Sequence, residues 1–178
     1  MVSSARGAAL TAARFPAIVT LVGIVEFEVV RTIGAPMEQV FARLADIEGH
    51  NDWMPEKGSI LRRTQQTSPG EPALGTTYLD ETSLGPTPGE VVEFNPPHRL
   101  VYHWWDHSKA GKVRLEGWPG YTLEATDPST TVVRHHAIIH THGLYRFASP
   151  LLRRIAAKER TATMDALKLS FESHGNRE

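Results

Sequence analysis

The 178-residue sequence has no cysteine and almost no net charge. Without cysteine there is no disulfide framework, no zinc–thiolate site and no cysteine nucleophile. The formal net charge of −1 at pH 7 is not the basic excess typical of nucleic-acid-binding domains, so we predict no nucleic-acid partner. No apolar run reaches the roughly 20 residues of a membrane span, so we predict no stable membrane insertion. The composition, 40% hydrophobic and 22% charged, suits one globular domain, and we expect it in the reducing cytoplasm.

Residues 1–24 differ in composition from the rest of the chain. They contain two arginines and no acidic residue, and the apolar stretch over residues 15–25 is broken by a proline, a threonine and a glycine. Three interpretations compete: a secretory signal, a membrane anchor, or an extension that results from a start site placed too early. The stretch is short for an anchor, and Glu26 follows where a signal would need a small-residue cleavage site. We therefore expect residues 1–24 to be a loosely ordered extension and residues 25–175 to form the domain.

The pattern of apolar residues predicts one strand, two short helices, six further strands and a long helix. The alternating residues 26–33 are typical of a strand, and Pro36 opens a helix with an apolar face. Asp46 is a plausible cap for the second short helix, and Ser149-Pro150 begins the long amphipathic one. The turns between the later strands are SPGEPALG, GPTPG, NPPH and DPST, and a bulge is predicted at Trp118-Pro119-Gly120.

Consecutive strands joined by short turns favour an antiparallel sheet. The long amphipathic helix needs an apolar surface, and the sheet is the one surface that the sequence offers. We therefore predict an α+β fold in which the sheet curls around the C-terminal helix.

Three short motifs stand at fixed places in this order of elements. The first strand runs into I-x-A-P-x-x-x-V-F, an aspartate is followed by W-x-P, and a turn reads PP-x-R-L. Together with the closing helix, they resemble the START-like superfamily, also called SRPBCC, and within it the polyketide cyclase/dehydrase-type branch. The resemblance spans residues 26–173.

The resemblance implies a helix-grip fold. This is a seven-stranded antiparallel sheet wrapped around a long C-terminal α-helix, with two short helices between strands 1 and 2 and a deep cavity between sheet and helix. Members of the superfamily bind lipids, sterols, polyketides and other apolar molecules there, and some cyclise or dehydrate the ligand. It implies no cofactor.

Aromatic and apolar side chains are the candidates for the wall of this cavity. Trp and Tyr offer flat apolar surfaces with one polar group each, which suits a ring-rich ligand, although aromatic residues of strands are often ordinary core. Trp53 matches the loop tryptophan that the superfamily carries near the cavity mouth. The predicted wall consists of Trp53, Tyr78, Leu100, Tyr102, Trp104, Trp118, Tyr121, His135 and Ile139.

Four histidines stand within the stretch RHHAIIHTH, residues 134–142. In a strand, His136, His140 and His142 share one face and His135 lies on the other, more apolar one. His140 and His142 are about 7 Å apart along a strand, but His103 could complete a metal site only in a favourable register, and no carboxylate is near in sequence. We therefore predict no metal, and three solvent-facing histidines. An inward-facing His135 would be either a hydrogen-bonded core residue or a ligand contact.

Catalysis has only weak candidates, namely His135, Tyr102 and Asp80. The sequence carries none of the standard hydrolase, nucleotide-binding or metalloprotease motifs, and Asp80 and Glu81 are adjacent in a strand, so they cannot act as a pair. The leading hypothesis is binding of a small hydrophobic or aromatic ligand (lipid, sterol or polyketide-like) by a monomer or homodimer. The alternatives are a polyketide cyclase/aromatase- or dehydratase-like enzyme using the same cavity, and a protein-interaction module.

Overall fold

One antiparallel sheet of seven strands organises the computed structural model, which describes residues 22–55 and 59–172. In chain order the elements are β1 (Gly23–Ile33), α1 (Met37–Ala45), α2 (His50–Trp53), β2 (Leu61–Gln66), β3 (Thr77–Thr82), β4 (Gly85–Asn95), β5 (Arg99–His107), β6 (Val113–Asp127), β7 (Thr130–Thr141), a 3₁₀ helix (Gly143–Ala148) and α3 (Ser149–Glu172). The strand order is β1-β7-β6-β5-β4-β3-β2, and every neighbouring pair is antiparallel. The predicted helix-grip α+β fold is confirmed.

The first strand begins earlier than predicted. Gly23 pairs with Thr141 and Ile24 with His140, so the last residues of the predicted extension belong to the sheet. The remainder of that extension, residues 1–21, lies outside the described residues.

The core forms between one face of the sheet, which we call the inner face, and the apolar sides of α1 and α3. Val40, Phe41 and Leu44 of α1 are buried at the predicted helical spacing. Met164 and Leu167 of α3 are fully buried against them. Burial at roughly 25 cal/mol per Å² of apolar surface makes this contact the main force that holds α3 to the sheet.

Two predicted irregularities of the strands are wrong. The stretch GPTPG is the first half of β4 rather than a turn, and it pairs residue by residue with β3. Its prolines are tolerated because β5 pairs with β4 only from Gly89 onward, so the missing N–H groups face no partner strand. The bulge predicted at Trp118-Pro119-Gly120 is absent, since β6 keeps one register with β7 there and shifts it only between Ala125 and Asp127.

The helix starts follow the predicted chemistry. Pro36 directly precedes α1, and α3 begins at Ser149 with Pro150 in its first turn. The predicted cap at Asp46 is wrong, because Gly49 is the N-cap of α2, without a side-chain hydrogen bond, and Asp46 ends α1. The carboxylate of Asp46 accepts a hydrogen bond of 2.9 Å from the N–H of Gly49 in the turn between the two helices. Within residues 22–55 and 59–172, no helix is both long and apolar enough to cross a membrane.

Candidate functional site

A group of aromatic side chains lines the inner face of the sheet. Tyr78 of β3, Tyr102 of β5, Tyr121 of β6 and His135 of β7 are all buried. The rings of Tyr78 and Tyr102 are 5.5 Å apart, and the rings of Tyr121 and His135 stack at 4.5 Å. The structure thus brings together four of the predicted wall residues from four different strands.

Four other predicted wall residues lie at the margins of this group. Leu100 is fully buried on the inner face. The indole of Trp104 lies over Gly117, where a Cβ atom would collide with it. Ile139 stands across the β6–β7 pair from Gly117 and is half-buried. Trp53, at the end of α2, packs against the edge of the core.

Trp118 does not share this wall. Its ring stacks on His103 at 4.6 Å and meets the edge of His140 at 4.8 Å, both on the outer face of the sheet. The reason is the strand period of two: Trp118 and Tyr121 are three residues apart in a strand without a bulge, so they point to opposite faces.

His135 is the most unusual polar group of the inner face. It is fully buried, and its Nδ1 lies 3.0 Å from the carbonyl oxygen of Gly120. Because a carbonyl oxygen only accepts, Nδ1 carries the proton, and Nε2 keeps a lone pair that has no partner in the described part of the chain. Burial, aided by the positive charge of Arg160, lowers the pKa of His135 from 6.5 to about 3, so the ring is neutral at pH 7.

Two further ionisable side chains act on the interior, Asp80 of β3 and Arg160 of α3. Burial raises the pKa of Asp80 from 3.8 to about 6, while a hydrogen bond with Thr64 and the charge of Arg160 act in the opposite direction. Arg160, from α3, also acts electrostatically on Tyr121. Arg160 thus acts on both the acid and the neutral base of the inner face, and ionisable groups with shifted pKa values are characteristic of functional sites.

Tyr102 has a different role from its neighbours. Its hydroxyl donates a hydrogen bond of 2.7 Å to the carbonyl oxygen of Leu44, at the end of α1. His50 donates to the same oxygen through Nε2 at 3.0 Å, and burial lowers the pKa of His50 from 6.5 to about 4. The Tyr102 proton is thus engaged in holding α1 to β5, which makes Tyr102 a poor general acid.

Sequence reasoning missed Arg160 and His50. A basic residue of an amphipathic helix is expected on its solvent side, yet Arg160 lies four residues before the buried Met164 and so on the same side of the helix. That spacing was the available signal. His50 stands in a loop-like stretch with no periodicity, and nothing in the sequence indicated that its ring would contact Tyr102 at 6.2 Å between centroids.

The outer face gathers the histidines that the sequence placed there. Glu116 accepts a hydrogen bond from His142 at 2.9 Å and one from His103 at 3.3 Å, with His140 at 3.9 Å. Burial raises the pKa of Glu116, but the hydrogen bonds and charges of His142 and His103 outweigh it, so the pKa lies below its usual value. The pairing of β6 with β7 therefore places the carboxylate of Glu116 beside these histidines, although no carboxylate is near them in sequence. In residues 22–55 and 59–172, no group of three or more such side chains has the geometry of a metal site.

A groove of about 780 Å³ lies on another side of the molecule, between α1, α2 and the C-terminal half of α3. Trp53 and Phe171 line it, and Arg43 lies over the Phe171 ring at 4.5 Å. It is open to solvent and separated from His135 by the core. The buried chemistry of the inner face, rather than this groove, is the candidate site.

With this geometry in hand, the family is decided by sequence. Residues 25–172 match the family described as polyketide cyclase / dehydrase and lipid transport. The chain belongs to this family. Among curated proteins no sequence matches the chain.

Solved structures agree with the fold at low sequence identity. The ZhuI aromatase/cyclase from a Streptomyces species has a TM-score of 0.67 at 12% identity, over 86% of this chain and 97% of that one. A START superfamily protein from Mycobacterium smegmatis has 0.64 at 12%, over 83% and 97%. Norcoclaurine synthase from Thalictrum flavum has 0.63 at 12%, over 89% and 99%. These similarities establish the helix-grip architecture of this family member and leave its ligand to be argued from the site.

Proposed function

We propose that this chain binds a small hydrophobic or aromatic ligand, of the lipid, sterol or polyketide type, against the inner face of the sheet beside α3. The observation that carries the proposal is the Nε2 atom of His135, a buried acceptor without a partner in the described residues. Leaving such an acceptor unmet costs about 1–3 kcal/mol. A ligand hydroxyl that donates to Nε2 would offset this cost.

The surroundings of His135 fit a ligand that is mostly apolar. The rings of Tyr121 and Phe27 pack on the imidazole at 4.5 and 6.2 Å between centroids. Such walls with a few convergent polar groups are typical of small-molecule sites. Because Nε2 is enclosed, a ligand would reach it only as Phe27 or Tyr121 moves aside, so we expect binding to be coupled to a side-chain rearrangement.

The comparisons support the class of ligand. The family description names polyketide cyclases, dehydrases and lipid transport. One structural neighbour is named an aromatase/cyclase. These names point to apolar, ring-forming or lipid-like molecules, and the described site matches that chemistry.

The test is a thermodynamic cycle with a polycyclic phenol and its methyl ether, titrated by fluorescence against the wild type and His135→Leu. In the wild type we expect the phenol to bind about tenfold more tightly than the ether, the worth of one buried hydrogen bond. In His135→Leu the two affinities should converge. Tyr102→Phe is the control, since its hydroxyl already donates to Leu44, and it should keep the wild-type preference. Equal affinity of the wild type for phenol and ether would refute the role of His135.

An enzyme is the second candidate, favoured by one observation. Asp80, with a pKa raised to about 6 by burial, can exchange a proton near neutral pH. Arg160 would stabilise negative charge that develops on a bound carbonyl. Analysis of the phenol after incubation with the protein distinguishes the two proposed functions. A ligand recovered unchanged supports binding alone, while a cyclised or dehydrated product that disappears in Asp80→Asn supports catalysis.

A further inference from the structure

An exposed apolar stripe runs along the chain between β7 and the middle of α3. Within residues 143–158, which we call the 143–158 segment, four large apolar side chains are 46–83% exposed: Leu144, Phe147, Leu151 and Ile155. They follow one another at intervals of three, four and four residues, which places successive members on one side of a helical segment. Met164 and Leu167 are buried on the opposite side of α3, so the stripe faces away from the core.

The charge of this segment is of one sign. It contains four basic residues and no acidic one, and its basic residues are Arg146, Arg153, Arg154 and Lys158. Arg154 and Lys158 each follow a stripe residue by three positions, so they lie beside the stripe. In the described part of the chain, no carboxylate pairs with Arg153, Arg154 or Lys158.

We propose that the 143–158 segment docks on an anionic lipid surface. The stripe would enter the boundary between headgroups and acyl chains, with the first turns of α3 lying in the plane of the surface and Arg154 and Lys158 on lipid phosphates. A basic face beside a row of large apolar residues is the pattern of interfacial helices. This is attachment to a surface and not insertion, and it does not depend on a ligand in the inner-face site.

Other occupants fit the segment less well. A nucleic acid would pair with the arginines but has no hydrocarbon to receive Phe147 and Leu151. A second copy of the chain would cover the apolar stripe, but two copies of this face would bring like charges together without a carboxylate between them. An anionic lipid surface offers acyl chains for the apolar side chains and phosphates for the basic ones.

The experiment is co-sedimentation of the full chain with vesicles of phosphatidylcholine alone, and with vesicles in which a third of the lipid is phosphatidylglycerol. We expect binding to the anionic vesicles that weakens as salt is raised. Each basic residue near an anionic surface is worth about fivefold in partition coefficient. Arg154→Glu/Lys158→Glu should therefore lose well over tenfold, and Phe147→Ser/Leu151→Ser should lose a similar factor through lost apolar burial.

Matched controls carry the same chemistry elsewhere on the surface. Leu74 and Leu84 are 67% and 78% exposed, and Leu74→Ser/Leu84→Ser should bind as the wild type does. Arg62 and Arg63 are exposed on β2, and Arg62→Glu/Arg63→Glu should change binding less than the reversal in the segment. All variants keep residues 1–21, so any contribution of that stretch is common to them.

Three outcomes would overturn the proposal. The first is no sedimentation with anionic vesicles. The second is binding that the segment variants leave unchanged. The third is a concentration-dependent dimer that Phe147→Ser/Leu151→Ser abolishes, because a second copy would then cover the stripe. Loss of vesicle binding with the phenol preference of His135 intact would leave the proposed function standing, so the two proposals fail separately.

Discussion

The carbonyl oxygen of Leu44 accepts hydrogen bonds from two side chains, Tyr102 and His50. Tyr102 is buried and His50 half-buried, and they reach this oxygen from different elements, since Tyr102 comes from the sheet and His50 from α2. A residue that looks like a ligand-site tyrosine in the sequence is therefore a structural link. The distinction depends on one atom, the hydroxyl, and on what it contacts.

Tyr102→Phe tests this link. We expect it to lower the free energy of unfolding by about 1 kcal/mol, because a buried hydrogen bond is lost while the ring remains. Urea denaturation monitored by tryptophan fluorescence measures the change. Tyr121→Phe is the matched control, because the Tyr121 hydroxyl has no hydrogen bond within the described residues, and it should change stability less. A larger loss in Tyr121→Phe than in Tyr102→Phe would contradict the assignment.

Residue type was enough to predict many of the site residues, and the alternation of side chains along a strand predicted which face they lie on. The alternation of residues 134–142 correctly put His135 inside and His136, His140 and His142 outside. The prediction that Trp118 lines the cavity was wrong because it used the aromatic character of the residue and not its position in the alternation of β6. Arg160 acts electrostatically on Asp80 across the interior, and no local pattern encodes this interaction because only the tertiary fold sets it.

At the scale of elements, one carboxylate fixes α3 to the start of the second strand. Glu159 accepts hydrogen bonds from the Ser59 hydroxyl at 2.7 Å and from the Ile60 N–H at 2.9 Å. Arg160, the next residue, turns toward the inner face and acts on His135. The position of α3 over the site thus depends on polar contacts as well as on apolar burial.

Glu159→Ala should loosen this attachment. Two hydrogen bonds to a charged acceptor are lost, and we expect about 2 kcal/mol less stability toward urea. The neighbouring exposed Lys158→Ala should change stability by less than about 0.5 kcal/mol. Hydrogen exchange adds a local readout: the Ile60 amide should exchange faster in Glu159→Ala, and unchanged protection there would mean that other contacts position α3.

Strand boundaries depend on neighbours that the sequence cannot show. The two prolines of GPTPG argued for a turn, and the prediction failed because this half of β4 has only one partner strand. The helix starts at Pro36 and Ser149-Pro150 were predictable because the fixed φ of proline favours the first turn of a helix, which is a local property. The existence of each strand was predictable, whereas the start of β4, which depends on its partner strands, was not.

For the whole molecule, the order of elements and the three short motifs were enough to predict the architecture. One strand, two short helices and six further strands joined by short turns favour a single antiparallel sheet, and such a sheet offers α3 its apolar face. The order of elements could not predict the protonation states of the ionisable groups in the interior, because these depend on how deeply each group is buried. His135 and His50 are held neutral by burial, and burial raises the pKa of Asp80. The titration of these three groups couples the site to the stability of the fold.

This coupling predicts an acid-sensitive protein. His135 and His50 have pKa values of about 3 and 4 when folded and 6.5 when unfolded, so the stability they contribute is present above pH 6.5 and is lost as the pH falls. Asp80, raised from 3.8 to about 6, acts in the opposite direction below pH 6. Since each titrating group contributes about 1.4 kcal/mol per pH unit, we expect a net loss of about 2 kcal/mol between pH 7 and pH 5.

His135→Gln isolates the contribution of one group. Whatever its absolute stability, the variant should lose less than about 1 kcal/mol over the same interval, because one of the two histidines no longer titrates. The exposed His98→Gln should retain the wild-type loss. Urea denaturation at pH 7 and pH 5 for the three proteins gives the comparison, and an equal pH dependence in wild type and His135→Gln would show that His135 is not held neutral by the fold.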